Sequence, residues 1–239
     1  MTSNEAWRDL TTDYEQARSR EDSLDRLMEW DAQRSVIGSV AGKAVLDVGC
    51  GNGSKAIELV RDHGAASVLG LDIGSQFLEA PPEVTLVPGD LSELDTIPEL
   101  AGRTFDVVLF LQSLAYAKDR ARTLRTVRSV IAEDGVLVIS MAHPLRYAVE
   151  RAERDGVGIG EAYHSAGPYS YPSRWNPEIT LTHTTDTFAS IHNPLVVAGF
   201  RVDQVLEPQL PEELKLRYPH KQDWLARYAG IIILRARPV

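Results

Sequence analysis

The first 143 residues alternate between short apolar runs and stretches with helical spacing. The apolar runs occupy residues 44–48, 67–72, 84–88, 105–111 and 135–141, and helices are predicted at 54–63, 75–79 and 120–131. Residues 107–111, VVLFL, are apolar at every position and not at every second one. Such a run is typical of a strand that helices cover on both faces. The alternation predicts an α/β fold with a doubly wound, mostly parallel sheet.

The regular pattern stops between residues 144 and 175. This stretch is rich in glycine and proline and carries five large rings, Tyr147, Tyr163, Tyr169, Tyr171 and Trp175. An irregular connection of this length in a compact domain is usually a lid, a binding loop or disordered chain. The rings favour a lid, since solvated linkers seldom carry them.

The pattern resumes after this stretch, with a helix predicted at 187–198 and strands at 201–206 and 229–235. We therefore expect a single domain with four parts. These are N-terminal helices at 1–38, βα units at 39–142, an inserted lid at 143–184, and a C-terminal helix with strands at 185–239.

Composition narrows the class of protein. A chain of 239 residues that is 44% hydrophobic and 25% charged buries one sizeable core. It has 34 acidic and 25 basic residues, a net charge of -9 that repels phosphate polyanions, so nucleic acid is not an expected partner. No apolar run approaches the roughly 20 residues that span a bilayer. The acidic N-terminal segment has no export-signal pattern, and the single cysteine, Cys50, agrees with a reducing cytoplasm.

A glycine-rich turn follows the first predicted strand in the segment VLDVGCGNG, residues 45–53. Its glycines permit a tight turn and a close approach of a ligand to the N–H groups that begin the next helix. The dinucleotide pattern G-x-G-x-x-G needs its third glycine or an alanine at position 54, which is Ser54. Asp47 precedes the turn and suits a ligand with positive charge and hydrogen-bond donors, whereas it would repel a pyrophosphate.

Two further carboxylates stand at the ends of the next predicted strands. Asp72 lies in GLDI, where a carboxylate can bind both hydroxyls of a ribose. Asp90 closes LVPGD and suits an exocyclic amine, with the N–H of Leu91 donating to the adjacent ring nitrogen. Taken singly, Asp47 is also a plausible cap for the turn, and the other two are also ordinary strand-end residues. One ligand could satisfy all three.

These motifs, together with FDVVLFLQSLAY at 105–116, resemble the class I, Rossmann-like S-adenosylmethionine-dependent methyltransferases of the bacterial small-molecule type. The resemblance covers residues 39–142 and, more loosely, 185–237. It implies a seven-stranded sheet whose last strand is antiparallel, S-adenosylmethionine as cofactor and S-adenosylhomocysteine as product. The expected cofactor-binding residues are Tyr14, Asp47, Gly49, Cys50, Gly51, Gly53, Asp72, Ile73, Asp90, Leu91, Phe110 and Leu111.

Methyl transfer from a sulfonium is an in-line displacement, so the protein has mainly to align the acceptor and exclude water. A hydroxyl or ammonium acceptor also needs a base, most often histidine. His143 follows the strand at 135–141 and is the expected catalytic residue, although it suits a structural role in the turn into Pro144 equally well. His164, His183 and His192 are lesser candidates. No spacing of ligand residues indicates a metal site, so we expect metal-independent chemistry.

The expected acceptor is a bulky, largely neutral small molecule such as a secondary metabolite, with O, N, C or S as the acceptor atom. The expected substrate-binding residues are Tyr116, Tyr147, His164, Tyr169 and Trp175, whose rings also suit packing of the lid on the body. The sequence Phe-Leu-Gln-Ser at 110–113 lacks the Asn- or Asp-Pro-Pro-aromatic motif of nucleobase-amine methyltransferases. The alternatives are a non-catalytic S-adenosylmethionine-binding protein and, less favoured, an NAD(P)-dependent oxidoreductase.

Overall fold

The computed structural model describes residues 3–239, in which the strands form a large sheet and a separate hairpin. The strands of the large sheet are β1 Ala44–Val48, β2 Ser67–Asp72, β3 Val84–Pro88, β4 Phe105–Leu111, β5 Ile131–Ala142, β8 Phe200–Leu206 and β9 Ile231–Pro238. Their spatial order is β3-β2-β1-β4-β5-β9-β8. Strands β1 to β5 are parallel, and β9 pairs antiparallel with both β5 and β8. The predicted α/β fold with an antiparallel last strand is confirmed.

Helices cover both faces of this sheet. The α-helices of the described residues are α1 Ser3–Arg18, α2 Trp30–Ile37, α3 Ser54–Arg61, α4 Arg120–Val130, α5 Pro144–Asp155, α6 Ile159–His164, α7 Phe188–Val197, α8 Glu212–Arg217 and α9 Pro219–Tyr228. One buried cluster joins Leu46 and Val108 to α4 and α7, and the other joins Val45 and Val107 to α2 and α3. Neighbouring residues of one strand thus enter opposite cores, which explains why the strands lack an alternating pattern.

The helix predicted at residues 75–79 does not form, and that prediction is wrong. Five residues are too few to stabilise an isolated helix, and Pro81 and Pro82 prevent an extension. The chain instead runs without regular structure along the glycine turn, where Leu78 N–H donates to Asn52 O at 3.0 Å.

The prediction of an irregular connection at 144–175 is also wrong. The stretch contains α5, α6 and strand β6 Pro168–Pro172, which pairs antiparallel with β7 Thr180–Thr184. The ends of α5 carry ordinary helix signals, because Pro144 occupies the first turn and Gly156 ends the helix with a φ of 70°. Residues Ile179 and Leu181 of the hairpin region pack against Ala6 and Leu10 of α1. The hairpin therefore lies against the N-terminal helix.

Within residues 3–239, none of the helices combines the length and the apolar character needed to cross a bilayer.

Candidate active site

The glycine turn at residues 49–53 connects β1 to α3 at the carboxyl edge of the sheet. Gly49 has a φ of 82° and Gly51 a φ of 61°, a left-handed conformation that other residues adopt only with strain. A Cβ at Gly49 would lie 2.3 Å from the Cβ of Ser113, so this glycine lets the turn pack against the end of β4. A Cβ at Gly51 would face Glu15 of α1, 2.8 Å from its Oε1. The absence of side chains at these two glycines lets the turn lie close to the end of β4 on one side and to α1 on the other.

A cavity lies between this turn, the carboxyl ends of β1, β2 and β4, and α1. Its volume, counted out to the solvent at its mouth, is about 1010 Å³. Ten of the twelve expected cofactor-binding residues line it, namely Tyr14, Asp47, Gly49, Cys50, Gly51, Asp72, Ile73, Asp90, Leu91 and Leu111. The sheet topology therefore brings together residues that are far apart in the sequence.

Gly53 and Phe110 are not among the lining residues of this cavity. A Cβ at Gly53 would meet the side chain of Leu86 at 2.4 Å, so Gly53 faces protein. Phe110 is fully buried in the core, because successive residues of β4 point to opposite faces of the sheet. Its neighbour Leu111 lines the cavity, and so does Gln112, which the sequence analysis did not select.

Asp47 is a buried carboxylate in the wall of the cavity. Its side chain is only 1% exposed, and its Oδ1 has no hydrogen-bond partner among the described residues. Burial, together with the neighbouring Asp72, raises the pKa of this carboxyl group to about 7 against the opposing effects of Lys55 and Arg18. A buried acceptor oxygen without a donor is unfavourable, so the site fits a ligand that brings a cationic donor to this position.

The second carboxylate, Asp72, fixes the turn from the side of β2. Its Oδ2 accepts the N–H of Gly51 and its Oδ1 the N–H of Gly74, both at 2.8 Å. Burial raises the pKa of Asp72, and these two N–H donors lower it in part. Each oxygen keeps a second lone pair, which leaves acceptor capacity for the hydroxyls of a ribose.

The third carboxylate, Asp90, caps the short 3₁₀ helix Leu91–Thr96 at the far end of the cavity. Its Oδ1 accepts the N–H of Ser92 at 2.8 Å, and its Oδ2 lies 3.1 Å from Nζ of Lys118. The structure thus places the three predicted carboxylates along one cavity, at the ends of β1 and β2 and after β3.

Helix α1 supplies a wall that the sequence analysis missed except for Tyr14. The lining residues Trp7, Thr11, Tyr14 and Arg18 are separated by four, three and four positions. This spacing places them on one helix face, and it is the signal by which Thr11 and Arg18 could have been found.

A buried ionic network holds the N-terminal segment over the turn. Arg18 lies 3.2 Å from Oδ2 of Asp25, at the start of the π-helix Asp25–Glu29, and Lys55 of α3 lies 2.6 Å from Oδ1 of the same residue. Burial alone would raise the pKa of Asp25, but the two cations outweigh it and hold the pKa below its usual range. Lys55 also donates to Gln33 at 3.0 Å, and Gln33 donates to Ser140 of β5 at 2.9 Å. The network connects α1, α2, α3 and the sheet.

A second, smaller cavity adjoins the first, and its volume, counted out to the solvent at its mouth, is about 350 Å³. Gln112 and Tyr116 line both cavities, and Tyr147 and His183 belong to the second. Two expected substrate-binding residues, Tyr116 and Tyr147, therefore lie in its wall. Tyr169 packs behind it, with its ring centroid 5.4 Å from that of Tyr147.

The other two expected substrate-binding residues lie elsewhere. The ring of Trp175 packs on Tyr14 at 4.7 Å and on Trp7 at 6.0 Å, so it supports the wall of the first cavity. His164 is exposed on α6, where it contacts Tyr163, and it is not in the wall of either cavity.

His143, the expected catalytic residue, is not among the lining residues of either cavity. Its Nδ1 accepts the N–H of Leu145 at 3.1 Å and so caps α5, and its Nε2 lies 2.8 Å from Glu207. The chain leaves β5 and enters α5 at once, and this turns the imidazole into the helix cap. The position of His143 gives its predicted catalytic role no support.

His183, named only as a lesser candidate, lies at the second cavity instead. It is 6% exposed, its Nδ1 lies 3.1 Å from the carbonyl oxygen of Thr184, and its Nε2 is buried with no partner in the described part of the chain. Burial lowers the pKa of this imidazole below its usual value. Because β7 pairs with β6 and not with the large sheet, sequence position alone gave no reason to prefer it.

The comparisons with known proteins agree with this geometry. Residues 46–139 match the family model described as a methyltransferase domain. An uncharacterized protein of Haemophilus influenzae is 26% identical over 240 residues, which cover 95% of this chain and 93% of that protein. A ubiquinone biosynthesis O-methyltransferase of Neisseria meningitidis serogroup C is 32% identical over 105 residues, only 41% of this chain and 44% of that protein.

Among solved structures, an S-adenosylmethionine-dependent methyltransferase from Mesorhizobium loti superposes with a TM-score of 0.72 at 27% identity, over 87% of this chain and 97% of that one. The partnerless oxygen of Asp47 and the glycine turn fit a cofactor that carries an ammonium group beside a nucleoside. The chain therefore contains a methyltransferase domain at residues 46–139, and in sequence and fold it is similar to S-adenosylmethionine-dependent methyltransferases.

Proposed function

We propose that the protein transfers the methyl group of S-adenosylmethionine to a bulky, largely neutral small molecule, such as a secondary metabolite, bound in the second cavity. The observation that carries this proposal is the shared wall of the two cavities. Gln112 and Tyr116 line both, so a molecule in the second cavity borders the one held in the first. Methyl transfer requires this contact between acceptor and cofactor.

Different residues of the first cavity are suited to different parts of the cofactor. The carboxylate of Asp47 is suited to the ammonium group and the guanidinium of Arg18 to the carboxylate of the amino-acid end. Asp72 is suited to the ribose, and Asp90 with the N–H of Leu91 to the adenine. When bound, the cofactor supplies a methyl group on a positively charged sulfur, which is an electrophile.

The second cavity favours an acceptor with little charge. Its wall includes the rings of Tyr116 and Tyr147, and Asp186 is the charged residue among its lining residues. Arg120 neutralises Asp186 through two contacts of 2.7 and 3.0 Å, and their side chains are 12% and 4% exposed. No unpaired cation among the described residues lines this cavity, which disfavours an acidic acceptor.

The segment at 143–184 supports the exclusion of water from the site. Tyr147 of α5 and His183 of the hairpin form part of the second cavity, and Trp175 extends the aromatic contacts to Trp7 and Tyr14 of α1. Displaced water strengthens electrostatic interactions in the site and prevents transfer to solvent. We propose that this segment and α1 together cover the bound pair, as a substrate lid.

Labelled cofactor tests this proposal. The protein is incubated with S-adenosylmethionine carrying a tritiated methyl group and with three separate fractions of a bacterial extract, namely filtered small molecules, bulk tRNA and protein. We expect label in the small-molecule fraction and in neither macromolecular fraction. Label in tRNA or in protein would contradict the proposal.

Two control measurements address the alternative functions. Calorimetric titration with S-adenosylhomocysteine and with NAD separates the methyltransferase from an oxidoreductase, since we expect binding of the first ligand alone. Cofactor binding without label transfer to any fraction would favour a non-catalytic binding protein.

A further inference from the structure

Two polar atoms in the wall of the second cavity lack hydrogen-bond partners, and they differ in chemistry. They are Nε2 of His183 and Nε2 of Gln112, both buried and both without a partner among the described residues. We infer that the acceptor atom is a phenolic hydroxyl oxygen held between these two side chains, and that His183 is the catalytic base that takes its proton. This inference rests on the proposed function and gives it a substrate class and an acceptor atom.

The tautomer of His183 follows from its neighbour. Its Nδ1 lies 3.1 Å from the carbonyl oxygen of Thr184, which can only accept a hydrogen bond. The proton of the neutral ring therefore sits on Nδ1, and Nε2 carries a free lone pair. Burial lowers the pKa of the ring, so this lone pair is available at neutral pH.

Gln112 presents the opposite chemistry. Its side-chain Nε2 is a donor, and its backbone is held at a φ of 65° at the end of β4, where its N–H donates to Ser140 O at 2.9 Å. A non-glycine residue in this left-handed conformation is strained, and such strain persists where the surroundings determine the position of the residue. The backbone of Gln112 is thus held at the end of β4, and its side chain lines both cavities.

A hydroxyl group satisfies this donor and this acceptor at once. Its hydrogen points to Nε2 of His183, one oxygen lone pair accepts from Gln112, and the second lone pair remains free to attack the methyl group. An amine nitrogen has a single lone pair, so an amine that accepts from Gln112 has none left for the transfer. A thiol is a weak donor and a weak acceptor, and it satisfies neither group well.

The rings around His183 indicate the frame that carries the hydroxyl. The ring centroid of Tyr147 lies 4.6 Å and that of Tyr116 5.8 Å from the imidazole. Both rings line the cavity, and offset or edge contacts between aromatic rings are favourable. These walls fit an aromatic ring better than a sugar or an acidic group.

The transfer step balances with these groups alone. The free lone pair of the hydroxyl oxygen forms a bond to the methyl carbon, and the carbon–sulfur bond breaks with its electron pair remaining on sulfur. The hydroxyl proton passes to Nε2 of His183. The products are a methyl ether, a neutral thioether and an imidazolium, which returns its proton to water when the products leave.

The charged and titratable groups that face His183 come from several elements. Helix α5 contributes Arg146, Tyr147 and Glu150, and β6 contributes Tyr169 and Tyr171. The 3₁₀ turn Leu114–Tyr116 contributes Tyr116, and the segment after β7 contributes Asp186. The packed residues of α1 on this side, Ala6 and Leu10, are apolar. Arg146 lowers the pKa of His183 while Asp186 and Glu150 raise it, and burial is the dominant effect.

A matched set of acceptors tests the inference. The full-length protein, with labelled S-adenosylmethionine, is offered phenol, aniline and thiophenol and the corresponding naphthalene compounds. We expect methyl ethers as the products, with little methylation of the amines or the thiols. The variants His183→Gln and Gln112→Met are compared with His220→Gln, which changes an exposed histidine on α9.

We expect His183→Gln to lower kcat about a hundredfold with a small change in KM, the usual effect of losing a general base. The acid limb of the wild-type pH profile of kcat, below about pH 6.5, should disappear in this variant. Gln112→Met should raise KM about tenfold, as expected for one lost hydrogen bond to the acceptor, and His220→Gln should match the wild type.

The outcomes separate the inference from the proposed function. Transfer to amines or thiols and not to hydroxyls, or a His183→Gln variant with wild-type kcat and pH profile, overturns the inference and leaves the proposed function standing. Label in the small-molecule fraction of the extract but in none of these hydroxyl compounds overturns the inference alone, whereas protein that binds S-adenosylhomocysteine and labels neither these acceptors nor that fraction overturns both.

Discussion

The ammonium group of Lys55 lies 2.6 Å from the carboxylate of Asp25, which joins the first helix after the glycine turn to the N-terminal segment that covers it. The Lys55 side chain is 11% exposed and that of Asp25 20%. Arg18, which lines the first cavity, binds the other oxygen of Asp25 at 3.2 Å. One carboxylate therefore positions the turn and the wall above it.

Replacement of Asp25 should destabilise the protein strongly. In Asp25→Asn the buried cation of Lys55 loses its partner, and we expect the free energy of unfolding to fall by about 3 kcal/mol at neutral pH. Asp31→Asn, which removes an exposed pair with Arg34, should cost less than about 1 kcal/mol. Urea unfolding of both variants measures the difference, and equal costs would contradict the role assigned to Asp25.

The same pair predicts a pH dependence. The pKa of Asp25 is lowered in the folded protein, so its contribution to stability is complete above its ordinary pKa of 3.8 and is lost as the pH falls through the lower folded-state value. The stability difference between wild type and Asp25→Asn should therefore shrink in acid. Urea unfolding across the acid range measures it, and a difference independent of pH would contradict the ion pair.

Gly51→Ala should separate folding from cofactor binding. The left-handed φ of Gly51 makes alanine cost about 1 kcal/mol of stability, and the new Cβ would point to Glu15 beside the cofactor cavity. Gly102→Ala has a similar φ of 69° and nothing within 4 Å, so it measures the backbone cost alone. Calorimetry with S-adenosylhomocysteine should show affinity lowered at least about tenfold in Gly51→Ala and unchanged in Gly102→Ala. Wild-type affinity in Gly51→Ala would place the ligand elsewhere.

Asp47 should make cofactor binding depend on pH. Its pKa is about 7 without ligand, and an ammonium group favours the charged carboxylate, so affinity for S-adenosylhomocysteine should rise between about pH 6 and pH 8. Asp47→Asn should bind more weakly and lose this rise, whereas Asp95→Asn, an exposed aspartate paired with Arg122, should behave as wild type. Titration calorimetry at several pH values measures both effects. A rise that persists in Asp47→Asn would contradict the assignment.

In the ligand-free protein, Asp47 should make stability fall as the pH rises, which is opposite to its expected effect on affinity for the ligand. Because the folded-state pKa of Asp47 is raised, the folded protein loses stability as the pH rises from the ordinary aspartate value of 3.8 to about 7. Asp47→Asn should therefore be more stable than the wild type above neutral pH by about 2 kcal/mol. Thermal or urea unfolding without ligand checks this, and a less stable variant would show that the carboxylate has an unseen structural partner.

His143 should act on stability through α5. His143→Ala removes the side-chain acceptor for the N–H of Leu145, and the loss of such a cap costs about 1 kcal/mol. His220→Ala, on the exposed face of α9, should cost less. Thermal unfolding of the two variants compares them, and equal stability would show that the cap contributes nothing.

The strands were predicted well because their side chains are buried on both faces of the sheet, in two separate cores. Val107 and Val108 bury on opposite faces of the sheet, so the run is apolar without interruption and its ends are distinct. The elements at 144–175 were missed since glycine, proline and aromatic content masked the helix signals at Pro144 and Gly156. The capping residues of this segment therefore indicate its secondary structure better than its overall composition does.

The lining of the first cavity was largely predictable and that of the second cavity was not. Parallel strands bring their carboxyl ends to one edge, so Asp47 and Asp72 are close in space although 25 positions separate them. His183 and Tyr147 meet through the packing of a hairpin on α5, which no local pattern encodes. The rule that ligands bind at the sheet edge selected His143, but the turn into α5 uses that imidazole as a cap.

A crystal structure of the protein with S-adenosylhomocysteine and a phenol tests the central claim most directly. We expect the ammonium group at Asp47, the ribose at Asp72, and the phenol oxygen between Gln112 and His183, facing the sulfur. A ligand bound outside the cavity between the glycine turn and α1, or a phenol remote from the sulfur, would contradict it.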